Sequence, residues 1–527
     1  MEVKGVSSEK VKETPSDVGS VEQNGTTSSI VLSEYGLHRG LKSHHIQLLA
    51  ISGVIGTGLF VGTSSVLNSA GPAGLLIGYS IWCVFLLCVA HAMGEMSALL
   101  PVPGSFVTHI GRFVDESAGV AMGWIYAYSM MIFTAADCTA LTGLWSYWFP
   151  DINPGVWVAV TLVVVFGLNC LAVKYFGEAE FYASILKVFL IIGFLLFTFI
   201  VVLGGNPQHD RIGFRYWKNP GAFNEQYVEG GPGRFLAIWG VFNTAAFAIG
   251  GPDFIANCAP EAVNPRRNIP KAVKRVIYRL IVFFILSVFA VGLLVPFDDP
   301  TMLSAIASGN GVAKSPFIIA MNRLQITFLP DLCNAVVITS AWSCTNCLLF
   351  QASRTIFGLA KNGRAPKIFA KSTKNGVPMP ALILSTAVAS LAFLTCNTAS
   401  AVVLNWFINL GSTAIMIAYI LMMVANLRFH KGLKAQGIDT STLPFKSKFT
   451  RVFIKGHWSF SGFFTAYFTI FFFLIIYFGW KIVKRTSFIK AEGMDFHTGL
   501  AEVEAHENSL TFKAPASRYE RIMDWLW

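Results

Sequence analysis

The sequence predicts an all-α polytopic membrane protein, and three observations support this fold class. Hydrophobic residues make up 54% of the 527 residues and charged residues only 13%, whereas a soluble protein has about 25% charged residues. The mean hydropathy is +0.56. The apolar residues gather in runs of roughly the 20 residues that a membrane-spanning helix needs, and none of these runs alternates as a strand does.

The apolar runs are the predicted spans, and eleven of them follow one another along the chain. They lie near residues 46–67, 73–99, 117–149, 156–173, 180–203, 234–259, 276–296, 331–360, 379–396, 402–426 and 459–480. They divide the chain into a disordered cytosolic N-terminal tail (1–45), five spans (46–203), five further spans (234–426), a basic loop (427–458), a final span (459–480) and a cytosolic-type C-terminal tail (481–527).

Basic residues mark the loops that face the cytoplasm. They cluster after the sixth run, as at Arg266, Arg267 and Lys271, whereas the loops at 68–72 and 397–401 contain no Lys or Arg. Because cytoplasmic loops of membrane proteins collect Lys and Arg, we expect a cytoplasmic N-terminus. The net charge of +11 is then a sign of topology, and we expect the lipid bilayer, and no nucleic acid, as a partner.

The sequence offers no constellation that indicates an enzyme. There is no convergent nucleophile and base, and the glycines at 56 and 58 lack the further glycine and flanking strand of a dinucleotide fingerprint. Cys344 and Cys347 have the spacing of a metal or redox pair, but no second pair or histidine cluster accompanies them. We therefore expect no metal and no cofactor, and we interpret the nine cysteines as packing residues.

Two of the predicted helices are interrupted at matching positions, each in the first span of a set of five. The first contains Gly53-Val-Ile-Gly56-Thr57-Gly58, and the sixth contains Ile249-Gly250-Gly251-Pro252-Asp253. Glycine costs about 1 kcal/mol and proline about 3 kcal/mol in a helix interior. Broken helices in two such sets are typical of an inverted repeat that binds its substrate at the breaks. The alternative is that these glycines only let helices pack closely, which is the interpretation that we favour for Gly74 and Gly78.

Acidic residues within the apolar runs are functional candidates because a buried charge is costly in a membrane. Asp137 lies about 19 Å inside the third run at 1.5 Å per residue, where it either lines a substrate path or accepts a structural hydrogen bond. Asp253 follows the second break, where it caps the new helix, accepts a substrate ammonium group or carries a proton. Glu95 and His91 lie one turn apart in the second run. They are either residues at the membrane interface or part of a proton pathway.

Lys187 and Phe247 have competing interpretations of the same kind. Lys187 lies about two turns inside the fifth run. It either snorkels, so that its ammonium group reaches the membrane surface, or is a buried amine that gains and loses a proton. Phe247 precedes Gly251 by four residues. It either forms a lid over the break or, in a chain with 45 phenylalanines, serves only in packing or lipid contact.

Several longer motifs carry a resemblance to a known family. These are Gly53-Val-Ile-Gly-Thr-Gly-Leu-Phe-Val-Gly62, Gly94-Glu-Met, Pro101-Val-Pro-Gly-Ser-Phe106, Gly213-Phe-Arg-Tyr-Trp-Lys-Asn-Pro-Gly-Ala-Phe223, Glu261-Ala-Val-Asn-Pro-Arg-Arg-Asn-Ile-Pro-Lys-Ala272, Ser340-Ala-Trp-Ser343 and Ser353-Arg-Thr355. Over about residues 36–490 the chain resembles the fungal amino-acid permeases, the yeast amino acid transporters of the amino acid–polyamine–organocation superfamily.

The resemblance implies a leucine-transporter-type fold with a 5+5 inverted repeat, and proton-coupled amino-acid uptake, with the plasma membrane as the expected location. It implies that the backbone at Gly56, Thr57 and Gly58 receives the substrate carboxylate. The carbonyls near Ile249 and Gly250 then receive the ammonium group. By the same resemblance Phe247 is a gating aromatic, and Lys187 takes part in proton coupling.

The sequence departs from the family pattern at three places near the proposed site and at one place near the C-terminus. Gly251-Pro252-Asp253 stands where Gly-Thr-Glu is common, Ala259-Pro260-Glu261 where Gly-Glu is usual, and Asp137 where many members have Glu. Leu443-Pro-Phe-Lys-Ser447 runs almost directly into Val452-Phe-Ile-Lys-Gly-His-Trp458. This predicts that the family's eleventh span is missing, either from the protein itself or through an exon skipped in the gene model. A receptor that binds amino acids without transport is therefore the alternative function, and the sequence specifies neither the amino acid nor an oligomeric state.

Overall fold

The computed structural model describes most of the chain between the first break and the end of the tenth predicted span. The described residues are 31–32, 37–38, 53, 55–102, 104–171, 173–259, 262, 264–307, 315–373, 376–397, 400–439, 443–445 and 494. The predicted final span at 459–480 and the junction where the sequence predicts a missing eleventh span lie outside them, as does most of each predicted tail.

Helices make up nearly all the regular structure of these residues. The exception is one antiparallel pair of two-residue strands, Val31–Leu32 and Leu37–His38. The helices are α1 (Gly58–Gly62, a π-helical turn), α2 (Thr63–Leu99), α3 (Ser105–Phe113), α4 (Glu116–Trp145), α5 (Pro154–Asn169), α6 (Val173–Val202), α7 (Arg215–Lys218), α8 (Gly231–Ala248), α9 (Pro252–Asn257), α10 (Pro265–Arg279), α11 (Leu286–Leu294), α12 (Pro300–Ala307), α13 (Pro316–Arg323), α14 (Leu329–Lys361), α15 (Met379–Ala389) and α16 (Ser400–Ala435). Short π and 3-10 segments link or extend some of them, at Leu280–Ile285, Lys367–Ala370 and Ser390–Cys396.

Eight of the described helices are long and apolar enough to cross a membrane, and the fold is therefore that of a polytopic membrane protein. One of the eight, Gly58–Leu99, has 42 residues, roughly 60 Å of helix against about 30 Å of bilayer hydrocarbon. Its backbone leaves helical geometry at Gly71, with φ 71° and ψ 173°, directly before Pro72. This kink lies where the sequence separates the first predicted span from the second. The total of eleven spans and the inverted repeat stay predictions.

The centre of the bundle is α4, which is buried along almost its whole length. It packs against α14 on one side and α16 on another, while α2 packs along α8. A side chain at Gly78 would place its Cβ 2.5 Å from Val241 on α8, so the packing interpretation of this glycine is confirmed. Apolar side chains such as Phe189 and Phe199 on α6 are exposed, as expected of a surface that contacts lipid.

The cysteines are free thiols, and six of the nine are buried. Within the described part of the chain, no group of three or more His, Cys, Asp or Glu side chains is arranged to hold a metal ion. Cys344 and Cys347 both lie on α14 among buried residues, as expected of packing residues.

Candidate functional site

The second helix break is present where the sequence predicts it. Helix α8 ends at Ala248 and α9 begins at Pro252. Between them Ile249 is extended, with φ −124° and ψ 101°, and Gly251 has φ 119°, a value that glycine adopts without steric cost. The intervening backbone therefore lies outside helical geometry in the interior of the bundle, where Ile249 is buried.

The structure brings the two predicted breaks into direct contact. A Cβ at Gly58 would lie 2.5 Å from Ala248 Cα and 3.1 Å from Ala248 N. These are backbone atoms, which cannot rotate aside as the end of a side chain can, so only glycine permits this approach. The contact places the segment Gly56–Gly58 beside the segment that begins at Ile249.

Helix α14 holds the backbone of the first break. The Ser340 hydroxyl donates to the Ile55 carbonyl at 3.1 Å, and the Cys344 thiol donates to the Gly53 carbonyl at 3.4 Å. The N–H groups of Gly56, Thr57 and Gly58 lie just before and at the start of the π-helical turn Gly58–Gly62. N–H groups at the start of a helix, together with the helix dipole, favour an anion.

Asp137 lies beside this break with half of its carboxylate unpaired. One oxygen accepts a hydrogen bond from the Thr57 hydroxyl, whereas Oδ2 is buried and has no partner in the described structure. A Cβ at Gly56 would lie 3.7 Å from Oδ2. The neighbouring Cys344 thiol donates to the Gly53 carbonyl, and the Thr345 hydroxyl donates to the Ala341 carbonyl. Because an unsatisfied buried acceptor is costly, this geometry favours a substrate path over a purely structural acceptor.

Asp253 is fully engaged within the protein. Its carboxylate accepts from the Tyr126 hydroxyl at 2.5 Å, from the Tyr419 hydroxyl at 3.0 Å and from the Gly251 N–H at 3.2 Å. These partners come from α4, from α16 and from the break itself, so Asp253 ties the start of α9 to two other helices. Among the three sequence interpretations, the geometry favours the cap.

The aromatic side of the break involves Phe247, which is half-buried. Its ring centroid lies 5.2 Å from that of Phe133, and Phe133 in turn occupies the space that a side chain at Gly411 would need. One turn before Phe247, Asn243 donates to Asn409 of α16. The sequence analysis did not select these two asparagines, although an asparagine within each of two apolar runs was an available signal.

Lys187 is completely buried, at 0% exposure. A snorkelling lysine keeps its ammonium group in contact with water, so the structure favours the alternative of a buried amine. The ammonium group lies within electrostatic range of Asp137 and of Cys344. Lys187 therefore belongs to the same region as the first break, although it comes from α6.

A further buried acid, Glu180, was missed by the sequence analysis. It is 2% exposed and accepts from Ser343 Oγ and from Asn346 Nδ2, both at 2.5 Å. Asn169 of α5 donates to Asn346 Oδ1 at 2.7 Å and so extends the network. The signal in the sequence was the spacing of seven residues between Glu180 and Lys187, which places both on one face of a helix.

Glu95 belongs to a different cluster. Its carboxylate accepts from Asn426 at 3.2 Å and lies 2.9 Å from His430 Nε2, so it joins α2 to α16. His91 lies one turn earlier, with its ring 5.5 Å from that of Phe445. The predicted part of Glu95 in proton coupling stays a prediction.

The family model and the individual relatives that this chain resembles point to the same protein family. Residues 45–455 match the family model described as "Amino acid permease". The chain is 38% identical over 513 residues to the proline-specific permease of Emericella nidulans, covering 93% of each chain. It is 36% identical to the dicarboxylic amino acid permease of Saccharomyces cerevisiae, covering 88% of this chain and 80% of that one. It is 35% identical to the lysine-specific permease of the same yeast, covering 89% and 79%.

The match to the family model covers both helix breaks, α4 with Asp137 and α6 with Lys187, and so the whole region of the candidate site. The function that the relatives have in common is amino-acid transport rather than catalysis. The chain belongs to the amino acid permease family.

Proposed function

We propose that this protein is a secondary active transporter that couples amino-acid uptake to protons. The observation that carries the proposal is the contact of Gly58 with the Ala248 backbone, which joins the two helix breaks into one site. The plasma membrane, with the N-terminus in the cytoplasm, is the proposed location, and a 5+5 inverted repeat is the proposed architecture.

The chemistry of the two breaks fits the two ends of an α-amino acid. The N–H groups at Gly56, Thr57 and Gly58, at the start of a helical turn, supply donors for the carboxylate. The non-helical backbone at Ile249 and Gly250 supplies carbonyls for the ammonium group, although Trp82 Nε1 already donates to the Ile249 carbonyl at 3.2 Å. The unpaired Oδ2 of Asp137 is a second acceptor for that ammonium group.

Transport would follow an alternating-access cycle. A proton binds at Lys187 or at an acidic partner, the amino acid docks between the breaks, and Phe247 closes over it. The bundle then rocks to open the site to the cytoplasm. Asp253, which is hydrogen-bonded to two tyrosines, fixes the position of the second break relative to α4 and α16 during this motion.

Counterflow in proteoliposomes tests whether the protein transports its ligand. Vesicles loaded with unlabelled amino acid are expected to take up labelled amino acid from outside, since a transporter exchanges its substrate across the membrane. Proline, lysine and glutamate are suitable first probes, because the similar permeases include proline-specific, lysine-specific and dicarboxylic ones. If an amino acid binds but none of the twenty is exchanged, the protein is a receptor on a permease fold and the proposal is overturned.

The same assay tests the assignment of the carboxylate. The decarboxylated amine of a transported amino acid is expected to compete poorly, because it cannot use the N–H groups of the first break. Losing two charge-assisted hydrogen bonds of roughly 1.5–3 kcal/mol each weakens binding by about 100-fold or more. Competition by the amine equal to that of the amino acid would show that the carboxylate is not held there.

A further inference from the structure

Glu180 and Lys187 are two buried residues of opposite charge type on one face of the same helix. They lie seven residues apart on α6, which is roughly 10 Å or two turns, and both are buried, at 2% and 0% exposure. In the predicted orientation α6 starts at the cytoplasmic side. Glu180 therefore lies between Lys187 and the cytoplasm.

The hydrogen bonds of Glu180 come from a neighbouring helix. Ser343 and Asn346 of α14 donate to its two oxygens, and Asn169 of α5 fixes Asn346 in turn. Three helices thus hold one carboxylate inside the bundle. A residue that served packing alone would not need an acid at this position, because a buried charge is rare in a membrane and usually functional.

The ionisable groups around Cys344 have unequal numbers of acids and bases. Cys344 follows Ser343 on α14 and lies within electrostatic range of Asp137 from α4 and of both Lys187 and Glu180 from α6. Helix α11, which also packs on α6, has no ionisable side chain. Among the described residues within electrostatic range of Cys344, two carboxyl groups therefore accompany one amine, and one added proton makes this set neutral. An uncompensated charge is costly inside a protein, so binding one proton is favoured.

We propose that Glu180 is a proton-coupling residue that shares one transported proton with Asp137 and Lys187. The proton enters from the outside with the amino acid, is held by these three side chains, and leaves through Glu180 to the cytoplasm. One proton is bound and one is released in each cycle, and no other bond changes. This inference rests on the proposed function of proton-coupled transport.

The Glu180→Gln variant in proteoliposomes tests this role, because the amide keeps the size of the side chain but cannot carry the proton. Two assays are compared. Counterflow at equal pH on both sides requires substrate exchange only, whereas accumulation under a gradient that is acidic outside requires net proton movement. Glu180→Gln is expected to retain counterflow and to lose accumulation above the outside concentration. Glu178→Gln, on the same helix but on a different, half-buried face, is the matched control and is expected to behave as the wild type in both assays.

Accumulation by Glu180→Gln equal to that of the wild type would overturn the inference. If Glu180→Gln loses counterflow as well, the Glu180→Asp variant decides, because aspartate keeps the carboxyl group but is too short to reach both Ser343 and Asn346. Accumulation by Glu180→Asp would support the proton role, and its loss would assign Glu180 to holding the helices together. Failure of the wild type itself to accumulate substrate would refute the proposed function instead, so the two failures are distinguishable.

Discussion

Gly58→Ala is expected to abolish amino-acid uptake while the protein still reaches the membrane. The added Cβ would meet Ala248 Cα at 2.5 Å, and relief of this clash must separate the backbones of the two breaks. The site would then lose hydrogen bonds to both ends of the substrate, and the loss of two of them weakens binding by about 100-fold or more. Uptake of labelled amino acid, normalised to the amount of protein in the membrane, measures the effect.

Gly62→Ala is the matched control for this prediction. It lies one turn further along the same segment, and its Cβ would meet the Thr244 methyl group at 3.2 Å. Because a side-chain atom can give way by a few tenths of an ångström, we expect a strain of about 1 kcal/mol, at the lower end of the cost of overpacking, and uptake within several-fold of the wild type. Wild-type uptake by Gly58→Ala would show that the contact between the breaks is not required.

Lys187→Ala is expected to abolish accumulation driven by a pH gradient. Of the described residues, the buried amine is the base that lies with Asp137 and Glu180 within electrostatic range of Cys344. Its removal leaves two carboxyl groups that would each need a proton. The coupling of one proton to one substrate is then lost. Accumulation of labelled amino acid with an acidic outside solution is the measurement, normalised to the amount of protein in the vesicles, and counterflow at equal pH shows whether the site is intact.

The control for Lys187→Ala is the same substitution at Lys361. That lysine is exposed at the end of α14, where its amine lies 5.5 Å from the Phe357 ring centroid, and we expect accumulation at the wild-type level. Lys187→Ala with the accumulation and pH dependence of the wild type would remove Lys187 from the mechanism.

The breaks could be predicted from the sequence because their signal is local. Glycine and proline within an apolar run are costly wherever the run lies, so Gly250, Gly251 and Pro252 identify a break without knowledge of its neighbours. Asp137 and Lys187 stand out for a related reason, since a charge deep within an apolar run requires an explanation. These local signals led to the residues that the structure brings together beside Gly58.

The roles of individual acids could not be predicted, because they depend on partners far away in the sequence. Asp253 has three interpretations until Tyr126 and Tyr419, 127 and 166 residues distant, are seen to fill its carboxylate. The role of Glu180 likewise depends on its hydrogen bond with Ser343, 163 residues away. The rotation of one helix about its axis relative to another decides such contacts, and hydrophobic periodicity fixes this rotation only coarsely.

The central claim is that a proton gradient drives amino acids through the site between the two breaks. Its most direct test uses wild-type proteoliposomes with an acidic outside solution and the labelled amino acid that gives the largest counterflow signal. We predict accumulation above the outside concentration, collapse of this accumulation on addition of a protonophore, and alkalinisation of the outside solution only when the amino acid is present. Equal substrate concentrations inside and outside, with and without the pH gradient, would contradict the account.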